Sequence, residues 1–209
     1  MRKFLVLPVA ALLVLTIAAP VSAGANVGNT SQSAESAQGF WKSEAGGVES
    51  YGFLSAWQDS GSSSAYVEFY GESGQYVDCT PADETDDLYG FQGQYRYGYG
   101  DGSLTIGRGQ GDAHATSSLE MTTTIIDDCA GSYVESFESG VVVSLDLVAN
   151  GPKVMERGTS SFHIPSEYNG HSSYTTTFRP AAGSATIGDD VFAVDGVIGK
   201  ISWRDHSNG

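Results

Sequence analysis

From Phe40 onwards no segment of this chain holds a 3.6-residue apolar period, and its large side chains recur at every second position in short runs. The runs are rich in Val, Ile, Thr, Tyr and Phe, and clusters of Gly, Ser, Asn and Asp separate them. Alternation is clearest in Val141, Val143, Leu145 and Leu147, which share one face of a strand while Ser144 and Asp146 point away. The pattern predicts an all-β, antiparallel fold of about a dozen short strands. A two-sheet β-sandwich is the expected form, and a closed or partly open β-barrel is the alternative. Reversals are expected at Gly71-Glu72-Ser73-Gly74, Gly100-Asp101-Gly102 and Asn150-Gly151-Pro152, where turn residues concentrate. No repeat of fixed period runs through the chain, which argues against propellers and solenoids.

The N-terminus is a different kind of sequence. Arg2 and Lys3 precede an apolar run from Phe4 to Ala19, and Val21-Ser22-Ala23 supplies small residues before Gly24. Residues 1–23 are expected to be a signal peptide, too short in its apolar run for a spanning helix, and the processed protein is expected to be secreted. Residues 24–39 carry Val27 as their one sizeable aliphatic side chain and predict a disordered spacer. Residues 40–209 then form a single all-β domain, long enough to bury a core.

The chain has 25 acidic and 10 basic residues, and loss of Arg2 and Lys3 leaves 8 basic ones. A surface so acidic repels phosphodiester backbones and anionic headgroups, which excludes nucleic acid and membrane as expected partners and favours a hydrated monomer. It is compatible with calcium or with a cationic partner. Cys79 and Cys129 are the two cysteines, each preceded by aspartate at the end of an apolar run. In an exported protein such a pair predicts one disulfide, and it lacks the paired C-x-x-C spacing of a zinc site.

In the last third, a Ser-Phe-His-Ile strand leads through a serine-rich stretch to Thr177-Phe178-Arg179-Pro180-Ala181-Ala182-Gly183-Ser184-Ala185-Thr186-Ile187. Together with the cysteine strand and Val141 to Leu147, this resembles a loose group of secreted bacterial β-proteins of unassigned activity, frequent in actinobacteria. The resemblance implies export and β structure and brings no site residues.

Tyr95, Tyr97 and Tyr99 have the even spacing that projects their rings from one face of a strand, with Phe91 in phase and Tyr66 and Tyr70 available to extend them. Two packings are open. Turned outward, the rings form a platform that stacks on sugar faces; turned inward, they are a core stripe with Gln92, Gln94 and Arg96 outside. Asp83, Glu84, Asp86 and Asp87 crowd one loop, and Asp127-Asp128 adjoins Cys129; these are the candidate calcium ligands, with calcium as the one possible cofactor, although neither run has EF-hand spacing. His163 and His171 approach each other across a short turn, without the spacing of a transition-metal site. No G-x-S-x-G elbow or other nucleophile signature is present. Glu68 and Glu120 lie in strand candidates and are the first carboxylates to consider for glycoside chemistry.

These features predict a secreted, non-catalytic binding protein for a carbohydrate or cell-envelope polymer. The alternatives are a carbohydrate-active hydrolase or lyase with paired carboxylates, and a structural exoprotein or small-ligand barrel.

Overall fold

Antiparallel pairing joins all but one pair of consecutive strands in this protein, so the fold is built largely from successive hairpins. The computed structural model describes residues 28–81, 88–164 and 168–208. The strands are β1 (Gly28–Ala45), β2 (Val48–Asp59), β3 (Ala65–Asp78), β4 (Tyr89–Ile106) and β5 (Asp112–Asp127), then β6 (Ser132–Ala149), β7 (Val154–Ile164), β8 (Tyr168–Ile187) and β9 (Asp190–Asn208). A single 3-10 turn at Arg108–Gln110 is the one helical element among the described residues.

All nine strands belong to one antiparallel sheet in the order β6-β5-β4-β3-β2-β1-β9-β8-β7, and β6 pairs additionally with β8. The sheet therefore curls until its ends meet. Its all-β, antiparallel character is the one read from the alternation, with a single curled sheet supplying the inward apolar layer that a sandwich or a partly open barrel requires. β6 and β7 act as one interrupted strand along β8: residues 143–149 pair with the second half of β8, and residues 154–164 with its first half. Asn150-Gly151-Pro152 is thus an interruption and not a hairpin. Strands of 11 to 20 residues outrun the ring. The start of β6 (132–140) continues past the end of β8 on one side, and β7 with its partners continues past the ring on the other.

The interior follows the period-two rule. Val141, Val143, Leu145 and Leu147 of β6 are buried, as their alternation predicts, and meet Ala113, Ala115, Leu119 and Met121 of β5, Ala185 and Ile187 of β8, and Val67 and Leu54 of β3 and β2. At one end Trp41 stacks between Phe192 (4.6 Å between centroids) and Phe69 (6.0 Å), and the Arg96 guanidinium lies 6.0 Å above the Phe69 ring. At the other end Gln110, at φ 60°, turns into the ring and donates from Nε2 to the Thr177 and Ile198 carbonyls, both at 3.1 Å. Arg179 donates to the Gly109 carbonyl of the same loop and to the Gly151 carbonyl between β6 and β7.

Three expectations are corrected here. Residues 28–39, read as disordered spacer, form most of β1, because β2 and β9 satisfy its backbone from both sides and Ala34 and Ala37 are buried. The turns expected at 71–74 and 100–102 do not exist, and β3 and β4 run straight through them. Those glycines are spaces for rings and methyls: Phe91 covers Gly74, and a Cβ on Gly102 would stand 2.8 Å from Val67 Cγ2. Chain reversals instead use Gly46-Gly47, Gly61, Gly131 and Gly188, all at positive φ.

Candidate functional site

The outer face of β1 to β6 carries the aromatic side chains that the interior does not use. Register places Phe40 opposite Phe53, Phe53 opposite Tyr70, Tyr70 opposite Tyr97, Tyr97 opposite Thr122 and Thr122 opposite Phe137. This is one lateral row crossing six strands. Ring centroids of Phe40 and Phe53 lie 6.4 Å apart and those of Phe53 and Tyr70 lie 6.0 Å apart. Tyr97 is 44% exposed and Phe137 77%. At about 4.8 Å per strand, the four aromatic positions on β1 to β4 span roughly 14 Å.

Acidic and phenolic rows flank it. On one side Glu68, Tyr99 and Glu120 stand on β3, β4 and β5 in register; on the other Tyr51, Glu72, Tyr95, Thr124 and Glu135 run from β2 to β6. Beyond Tyr99, Tyr66 stacks on it at 6.2 Å and meets Trp57 in a tilted contact at 4.2 Å. Tyr95, Tyr97 and Tyr99 therefore face outward, while Arg96 points inward to Phe69 and to Asp190 at 3.7 Å.

The carboxylates are held by phenols. Tyr51 and Tyr70 both donate to Glu72 Oε2, and Tyr133 donates to Glu135 at 2.7 Å. Burial raises the Tyr70 hydroxyl to about 12, with the Glu72 hydrogen bond next in weight. The hydrogen bond to Glu72 is the main cause that pushes Tyr51 upward, and burial comes first for Tyr66 and Tyr95. These phenols stay protonated donors through the neutral range.

A bulge in β6 builds the far end of the platform. Leu119 pairs with Val141 but Met121 with Glu138, so β6 spends one residue more than β5, at Ser139-Gly140, where Gly140 adopts φ 77°. The extra residue reverses the side-chain phase, turning Tyr133, Glu135 and Phe137 outward beside Tyr97 while Val141 onward stays inward. Beneath them Thr122 and Thr124 are buried.

Spacing within β4 puts its three tyrosines on one face, and Tyr70 and Tyr66 join them from β3. The contributions of Phe40, Phe53, Glu72 and Phe137 depend on lateral register, which local spacing does not carry. Glu68 and Glu120 stand on either side of Tyr99 on an open face, two strands or about 9.6 Å apart by backbone spacing.

Cys79 and Cys129 pair at disulfide distance, with Cα atoms 5.2 Å apart, and tie the end of β3 to the turn between β5 and β6. Of the calcium candidates, Asp127 accepts from Gln92 and from the Ala130 amide at 3.0 Å each, and Asp128 accepts from the Phe91 amide at 2.8 Å. Those bonds give both carboxylates a role in fastening the turn. Asp83, Glu84, Asp86 and Asp87 lie outside the described residues. Among the described residues no three His, Cys, Asp or Glu side chains converge on a point that would hold a metal ion.

No family model matches the chain, and no curated protein matches it. Among solved structures it is similar to the crystal structure of the β domain of the Bordetella autotransporter Brka, at 7% identity and a TM-score of 0.15, over 85% of this chain and 98% of that one. That score is too low to mark a common fold.

Proposed function

We propose that this is an exported, non-catalytic binding protein whose outer aromatic face takes a neutral polysaccharide of the extracellular matrix or cell envelope. The observation that carries the reading is the lateral row Phe40, Phe53, Tyr70, Tyr97, exposed at its ends and flanked by carboxylates whose phenol partners hold them in place. Rings in a row offer apolar faces to successive pyranoses, and the hydroxyls and carboxylates beside them accept and donate hydrogen bonds to sugar hydroxyls. An open face suits a polymer, which lies across it. Export is supported by the leader-like N-terminus and the paired cysteines.

The test is retention of the exported protein on insoluble polysaccharides and purified cell envelopes, with calcium and with chelator. Retention on a neutral matrix is expected, and loss under chelator would give the acidic turns a calcium role. The Glu68, Tyr99, Glu120 row supports a second reading, carbohydrate cleavage, which predicts turnover that Glu68→Gln or Glu120→Gln abolishes. Retention without turnover favours binding; passage through every matrix contradicts it.

A further inference from the structure

The projection formed by β7, the first half of β8, the second half of β9 and the start of β1 has a face of its own. Its side chains share the phase of the ring-facing Ala181 and Ile198, and beyond the Gln110 loop no strand among the described residues pairs across from them. The register sets Thr159 beside Ser173, Ser173 beside Arg204 and Arg204 beside Ser31. The adjacent row is Arg157, Thr175, Ser202 and Ser33. Thr177, Lys200 and Glu35 close the grid towards the ring, and His171 stands opposite His206 towards the tip.

This face inverts the charge of the molecule. Three of the eight basic residues that follow the leader stand on it, against Glu35 as its one described carboxylate, and Glu35 is already bonded to Lys200 at 2.8 Å. Arg157 and Arg204 are exposed, and no described carboxylate lies within ion-pair distance of either. Two guanidinium groups without a described carboxylate partner, set among serine and threonine hydroxyls in a chain of net charge −15, are placed for an anion that also carries hydroxyls.

We infer that this face binds an acidic polysaccharide with a carboxylate on its sugars. The guanidinium forks fit carboxylates in bidentate geometry, and the intervening hydroxyls match a polyol backbone. The inference is independent of the aromatic face, which lies on the opposite, outer side of the sheet and, on the shared strand β1, farther along the chain.

Affinity electrophoresis of the exported protein in gels containing polygalacturonate, or its fully methyl-esterified form, separates charge from sugar backbone. Retardation is expected in the acidic polymer and not in the ester, weakening as salt is raised. Arg157→Gln/Arg204→Gln should weaken it roughly tenfold or more, and Arg157→Lys/Arg204→Lys, which keeps the charge but not the fork, should fall between. Tyr97→Ala should leave it unchanged, which separates this site from the aromatic one. Equal retardation by the ester, or an unaltered arginine-to-glutamine variant, overturns the inference. Self-association abolished by that variant without polyuronate binding would also overturn it, assigning the face to a second copy of the chain.

Discussion

Gly52 stands directly opposite Trp41 in the β1–β2 register, and the indole occupies the space where a Cβ on residue 52 would lie. The row continues inside the ring to Gly71, whose added Cβ would meet Phe69 at 3.0 Å and Trp41 at 3.7 Å. Two glycines on adjacent strands thus make the bed on which Trp41 lies between Phe69 and Phe192. The backbone at Gly52 has an ordinary negative φ, so its requirement is room, not conformation. Gly52→Ala is expected to cost about 1–3 kcal/mol, the usual range for overpacking, and to shift tryptophan fluorescence. Urea unfolding measures it, and an unchanged midpoint would mean that the indole lies elsewhere.

Joining Cys79 to Cys129 closes a loop with a sequence separation of 50. In the chain-entropy model such a closure contributes about 4 kcal/mol. Cys79→Ala/Cys129→Ala should lose a few kcal/mol, and reduction of the wild-type protein should lower its melting temperature to match. Neither step should change the melting temperature if the two thiols are unlinked.

Tyrosine ionisation reports the outer face directly. A native phenol raised above its unfolded value of about 10 favours the protonated form, so its stabilisation is complete below pH 10 and is lost as pH climbs through the native value. Tyr70, at about 12, places that loss between roughly pH 10 and 12, and Tyr51, Tyr66, Tyr95 and Tyr133 are raised as well. Ultraviolet titration of tyrosinate should therefore show these five tyrosines ionising late in the native protein and near the ordinary phenol value in denaturant. Glu72→Gln should bring Tyr51 and Tyr70 closer to about 10. A native titration indistinguishable from the denatured one would contradict the Glu72 contacts.

What the sequence made legible was local. Val141 to Leu147 reads correctly because alternation within one strand is enough to assign its inner face. The Tyr95, Tyr97, Tyr99 phase is legible in the same way, but its direction is not, since either face of a strand can be the buried one. The polar start of β1 was hidden because its hydrogen-bond partners lie on β2 and β9, about 20 and 170 residues away. Glycines misled in both directions: Gly71, Gly74 and Gly102 read as turns yet make room inside strands, while Gly140 makes the bulge that turns Phe137 outward. Lateral register, which assembles Phe40, Phe53, Tyr70 and Tyr97, is a property of the folded sheet.

The most direct measurement is the affinity of Tyr97→Ala for whichever neutral polysaccharide retains the wild-type protein, taken alongside its melting temperature. Tyr97 is the exposed β4 end of the four-ring row, at 44%, so removing its ring should weaken binding by about 1–3 kcal/mol while the melting temperature stays within a few degrees. Undiminished affinity, or a loss of several kcal/mol of stability that places the ring in the core, would contradict the outward platform.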